Sequence, residues 1–150
     1  MSGLATFLVV EDNELDVEKL RRCFRRNDIG NPMRHAADGY EALDILRGTN
    51  GVKKLDEPFV MLLDLNMPRM SGLELLGELR ADPQLQGTRV FVMTTSDHRR
   101  DVEAAYRHNV AGYIVKPAGV EKISMAVQML SQYCDLCLPP APSAARLSAS

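Results

Sequence analysis

Four short apolar runs and a weaker fifth segment, separated by stretches with helical spacing, constrain this chain more than any other feature. The first run, Phe7-Leu8-Val9-Val10, stops at Glu11-Asp12. A strand that is apolar at every position is buried on both faces, the condition of a parallel sheet covered by helices. Asn13 or Glu14 opens a helical pattern to about Arg26, with Val17, Leu20 and Phe24 on one face. Pro32 to Ala37 reads as a weaker strand, and the helix after Asp38-Gly39 points Leu43 and Leu46 inward and ends at Gly48. Thr49 to Pro58 reads as a surface loop, longer than most connections. The strand Phe59 to Leu63 leads through Pro68 and Gly72 into a helix carrying Leu73, Leu76 and Leu79. Asp82-Pro83 stops that helix, because the residue before proline avoids helical dihedrals. A strand from Val90 to Met93, a helix from about Arg99 to Asn109, a strand from Gly112 to Val115 and a helix from about Val120 to Asp135 complete the alternation. Strands alternating with helices five times predict an α/β fold: a parallel sheet with right-handed crossovers and helices on both faces.

At 150 residues the chain fits one domain, expected over 1–138, and the Pro-, Ala- and Ser-rich segment 139–150 reads as a flexible tail. A net charge of -2 offers no positive field for nucleic acid or anionic lipid, so neither is an expected partner. No apolar run approaches the ~20 residues needed to span a bilayer, and Met1-Ser2-Gly3 lacks the features of a signal peptide. The expected setting is the cytoplasm. Three cysteines, Cys23, Cys134 and Cys137, make no disulfide framework and suit a reducing compartment.

The ends of the predicted strands carry the chemistry. Glu11-Asp12, Asp64, Thr94 and Lys116 each follow an apolar run. In an open parallel sheet the carboxyl ends of the strands line one edge, where ligands bind, so these side chains converge. Three carboxylates in one crevice repel one another unless a divalent cation takes up the charge, and hard oxygen donors suit Mg²⁺. A lysine and a hydroxyl beside such a cation are what phosphoryl transfer needs, since that chemistry rests on positioning and on neutralising oxygens. A carboxylate can then act as nucleophile and become an aspartyl phosphate. Asp64, closing a central and wholly apolar strand, is the best placed.

Four blocks carry a resemblance: Val9-Val10-Glu11-Asp12-Asn13; Leu62-Leu63-Asp64-Leu65-Asn66-Met67-Pro68 with Gly72; Met93-Thr94-Thr95-Ser96; and Gly112-Tyr113-Ile114-Val115-Lys116-Pro117. In order and spacing, over about residues 4 to 135, they resemble the receiver domain of two-component response regulators. The resemblance implies a flavodoxin-like five-stranded sheet of order 2-1-3-4-5. It implies phosphorylation of Asp64 by a sensor histidine kinase, with Asp12, Asp64, the Asn66 backbone carbonyl and, through water, Glu11 holding Mg²⁺. Lys116 and Thr94, with Thr95 beside it, form the phosphoryl-binding and switch set, and Tyr113 is the aromatic residue that turns inward as the threonine moves. The phosphate state is then read on the face of helix 4, strand 5 and helix 5. Glu11 stands where many members carry Asp. The Glu-Asp-Asn start, the long loop before strand 3 and Thr94-Thr95-Ser96 resemble the small regulators of phytochrome-type kinases. The expected function is a stand-alone phosphorelay switch with at most slow self-dephosphorylation, not a turnover enzyme.

Taken singly, Asp64 is an ordinary turn residue, Thr94 an ordinary strand residue and Lys116 half of an ion pair; their joint order carries the reading. A phosphate-independent interaction module is the alternative, disfavoured by the intact set. A phosphohydrolase is disfavoured because Asn66 stands where a second acid is needed, and a dinucleotide binder because no Gly-rich loop follows strand 1. Cys134 and Cys137 lie at a helix end, where the dipole raises a thiol pKa, and lack a second ligand pair for zinc. Arg21, Arg22, Arg25 and Arg26 read as a solvated face bordering the kinase docking surface that the resemblance implies. The last helix has two apolar stripes: Ile123, Val127, Leu130 and Cys134 face the sheet, while Met125, Met129 and Leu136 lie roughly opposite. A monomer cannot bury both, so the second stripe is an expected homodimer interface.

Overall fold

The structure is a computed structural model that describes residues 4–116 and 120–137; the predicted tail and Pro117 lie outside the described residues. Five strands, β1 (Thr6–Val10), β2 (Met33–Ala36), β3 (Phe59–Leu63), β4 (Val90–Thr94) and β5 (Gly112–Val115), form one parallel sheet of order β2-β1-β3-β4-β5. They alternate with α1 (Glu14–Arg26), α2 (Gly39–Arg47), α3 (Gly72–Ala81), α4 (Arg99–Arg107) and α5 (Val120–Leu136).

Because successive strand residues point to opposite faces, the apolar strands supply two cores. Leu8, Val10, Met61 and Leu63 pack with Leu43 and Leu46 of α2, Leu75, Leu76 and Leu79 of α3 and Ala105 of α4. Phe7, Val9, Val60 and Leu62 pack on the other face with Val17, Leu20 and Phe24 of α1 and Val127 and Leu130 of α5. The expected inward residues of α1, α2 and α5 are buried or half-buried; in α3, Leu73 is only half-buried and Leu75 takes its place in the core. The long loop before β3 is anchored more firmly than a surface loop: Leu55 is buried and its N–H donates to the Ile45 carbonyl at 2.9 Å.

Local signals explain where the helices begin and end. The Asn13 side chain accepts from the N–H groups of Leu15 and Asp16, Ser71 and Glu74 form a reciprocal capping box, and Gly48 closes α2 in the left-handed conformation at φ 68°. Asp38 caps α2 through the Glu41 N–H and also pairs with Arg69, which ties this corner to the loop after β3. In α4, by contrast, the first turn has no side-chain cap and only Ala105 is buried. Arg80 fixes its far end, donating to the His108 carbonyl at 2.6 Å and to the Thr88 carbonyl at 2.8 Å. No helix among the described residues is long and apolar enough to cross a membrane.

Candidate phosphoryl-acceptor and cation site

Strand register builds the site. Val10 is level with Leu63, so Glu11 and Asp64 leave their strands side by side, and the Asp64 N–H donates to the Val10 carbonyl at 3.0 Å. Thr94 is level with Val115, which puts Lys116 just beyond it; the Lys116 N–H donates to the Thr94 carbonyl at 2.6 Å. Residues separated by most of the chain thus meet at one sheet edge.

Glu11, Asp12 and Asp64 bring carboxylate oxygens within 4.8 Å of one another; Glu11 and Asp64 are buried and Asp12 is exposed. The Lys116 ammonium donates to Glu11 Oε1 at 2.5 Å and to Asp16 Oδ2 at 2.8 Å, and lies 3.7 Å from Asp64 Oδ2. Burial, with the Asp64 charge adding to it, pushes Glu11 up to about 7 against the pull of Lys116 and the Asn13 N–H. Burial alone would lower Lys116, but its bonds to Asp16 and Glu11 and the Asp64 charge hold the ammonium above its ordinary range. The Asn66 N–H donates to Asp64 Oδ1 at 3.3 Å, which brings the Asn66 backbone to the same corner. This oxygen-only donor set suits a hard divalent cation, whose charge would offset the repulsion between the clustered carboxylates.

Thr94 is wholly buried at the end of β4, and its hydroxyl accepts a long bond from the Ser96 N–H at 3.5 Å. Thr95 is exposed, outside the carboxylate cluster. Tyr113 is half-buried, and its hydroxyl donates to the Ser96 carbonyl at 2.9 Å. Met125, Met129 and Leu136 are exposed on α5 at 67%, 41% and 84%, so the second apolar stripe is real surface. Burial of the thiol, then the neighbouring Asp135 and Cys137, push Cys134 up to about 11.

Two participants, Asp16 and Asp101, had no sequence signal of their own, and Ser96 entered only as the last residue of a motif. Asp16 completes the lysine's set of partners, and Ser96 Oγ donates to Asp101 Oδ2 at 2.6 Å, tying the end of β4 to the first turn of α4. Asp16 and Asp101 each lie in the first turn of a helix, where an acid is expected for the dipole alone.

Residues 7–128 match the response regulator receiver domain. The chain belongs to this family. The probable methanogenesis regulatory protein FilR2 of Methanothrix harundinacea is 32% identical over 84% of this chain and 81% of its own. Response regulator Rcp1 of Synechocystis is 29% identical over 84% of this chain and 86% of its own. The solved structure of the Mn(2+)-bound form of Rcp1 matches 91% of this chain and 99% of its own at 28% identity, with a TM-score of 0.78. That of the phosphorylated cyanobacterial phytochrome response regulator RcpA also gives 0.78, at 28% identity, over 92% of this chain and all of its own. The chain is therefore a receiver-domain response regulator homologous to phytochrome response regulators, a signalling switch rather than a typical enzyme, and the family implies a histidine kinase partner.

Proposed function

We propose that the chain accepts a phosphoryl group on Asp64 from a phosphohistidine of a sensor kinase of the phytochrome type. The observation that carries this reading is the meeting of Glu11, Asp12, Asp64 and Lys116 at one sheet edge. An Asp64 oxygen attacks phosphorus, the phosphorus–nitrogen bond to the histidine breaks, and an aspartyl phosphate forms. Glu11, Asp12, Asp64 and the Asn66 backbone carbonyl are the groups that would hold Mg²⁺, which when bound supplies neutralisation of the transferring oxygens. Lys116 meets one phosphoryl oxygen and the Thr94 hydroxyl another, with slow hydrolysis resetting the state.

Movement of Thr94 bears directly on Ser96, whose carbonyl holds Tyr113 and whose hydroxyl holds Asp101 at the start of α4. The surface of α4, β5 and α5 is thereby coupled to Asp64, and the exposed Met125, Met129 and Leu136 suit a homodimer there. Nucleic acid has no part in this reading. Incubation with acetyl phosphate, with and without Mg²⁺, followed by intact mass, tests the central step. Wild type gains one phosphoryl group only with Mg²⁺ and Asp64→Asn gains none; equal labelling of the two proteins refutes the assignment.

A further inference from the structure

Lys116 stands among three carboxylates, one of which lies outside the cation cluster. Of its partners at 2.5, 2.8 and 3.7 Å, Glu11 and Asp64 belong to that cluster and Asp16 does not. The Asp16 contact links the first turn of α1 to the end of β5. Its carboxylate is not spent on the helix start, because the Asn13 side chain caps α1 through the backbone N–H groups of Leu15 and Asp16. The pair is partly shielded, with side-chain exposures of 18% for Lys116 and 28% for Asp16, so it is stronger than an open surface pair without the full cost of burying two ions. A cavity of about 80 Å³ bordered by Leu20, Leu62 and Ile123 as well as Asp16, Asp64 and Lys116 leaves the ammonium room to turn.

From this we infer that Asp16 is a positioning residue for the phosphoryl chemistry: a counter-ion that holds Lys116 back from Asp64 at rest and yields it to the incoming phosphoryl oxygens. The inference rests on the role of Asp64 proposed above. Charge accounting gives its direction. A divalent cation on Glu11, Asp12 and Asp64 offsets the attraction of two of the lysine's three partners, and Asp16 keeps its full charge. A phosphoryl group on Asp64 then brings roughly two negative charges and outcompetes a single carboxylate for the ammonium. Asp16 therefore acts oppositely on two quantities. Its charge favours the cation directly, and it shares with Glu11 an ammonium that Glu11 and Asp64 would otherwise hold between them. The same charge opposes an anionic phosphodonor and retains the lysine that must meet it.

The test compares wild type, Asp16→Asn and Asp16→Glu by Mg²⁺ calorimetry and by the rate of labelling with acetyl phosphate at saturating Mg²⁺. Asp16→Asn is expected to weaken Mg²⁺ about threefold and to raise the saturated labelling rate about threefold, the scale of a partly exposed ion pair. Asp16→Glu, which restores the charge, moves both values back toward wild type. A merely structural role would not move them in opposite directions. Unchanged values in Asp16→Asn, or losses in both that Asp16→Glu fails to reverse, overturn the inference while Asp64 keeps its role. Absence of labelling in wild type removes the Asp64 reading and this inference together.

Discussion

Replacing Gly72 with alanine should destabilise the protein and impair Asp64, although alanine is the better helix former. Gly72 opens α3, and its N–H donates to the Leu65 carbonyl at 2.9 Å, so the helix starts hard against the loop that leaves Asp64. A Cβ placed there would run into the Asp64 carbonyl oxygen and lie 2.7 Å from Leu65 Cα and 3.0 Å from Leu65 Cδ2. Two of these atoms are backbone and cannot rotate away. Gly77, in the same helix, is the matched control, since a Cβ there meets nothing within 4 Å. At an open helical site glycine to alanine gains up to ~1 kcal/mol, which is the expectation for Gly77→Ala. At Gly72 that gain is set against overpacking of ~1–3 kcal/mol, leaving a net loss of up to ~2 kcal/mol. At ~2–4 °C per kcal/mol for a chain of this size, the two melting points separate by several degrees in opposite directions from wild type. Thermal melts by circular dichroism read this, and acetyl phosphate labelling should fall in Gly72→Ala alone. A Gly72→Ala protein as stable as Gly77→Ala would refute the packing argument.

Two further outcomes follow from α5. Sedimentation across a concentration series should show a mass that rises with concentration in wild type and stays monomeric when Met125→Lys and Met129→Lys are combined; a concentration-independent wild-type mass, with and without a phosphoryl mimic, removes the dimer. With Cys134 held up to about 11, roughly one thiol in a thousand is thiolate at pH 8, so its alkylation should trail that of the exposed Cys137 and speed up about tenfold per pH unit toward pH 10. Peptide mass mapping after brief iodoacetamide treatment decides it, and equal labelling at pH 8 would contradict the burial of Cys134.

The fold was legible because burial on two faces leaves a signature that no other element shares at this length. Phe7 to Val10 and Phe59 to Leu63 are apolar without a gap, and register then places Glu11, Asp64, Thr94 and Lys116 at one edge. What escaped notice depends on distance rather than pattern. Leu55 is a lone apolar residue in a polar loop, and only the Ile45 carbonyl that receives its N–H reveals why it is buried. Thr95 shares a motif with Thr94, but it lies one residue beyond the end of β4, outside the strand that both cores cover, and is exposed. Asp16 looks like any acid in a first turn until Lys116 arrives from the far end of the chain.

The unequal anchoring of the helices indicates which of them a change at the site can move. α3 buries Leu75, Leu76 and Leu79 and begins with a capping box, so displacing it would expose core side chains and break two capping bonds. α1 buries Val17, Leu20, Cys23 and Phe24, and α5 buries Val127 and Leu130. α4 buries Ala105 alone, lacks a side-chain cap, and is held by polar contacts at its two ends: Ser96 with Asp101 at the first turn, Arg80 with the His108 carbonyl at the last. A helix with so little apolar surface at stake costs least to displace, in the same way that low-stability segments are the ones that open first. Arg80 reaches α4 from the firmly packed α3, whereas Ser96 reaches it from the loop that begins at Thr94. Under the proposed function, a shift of the Thr94 hydroxyl toward Asp64 would act on the loosely held start of α4 while Arg80 holds its end, which would favour a pivot of α4 over a translation of the whole helix.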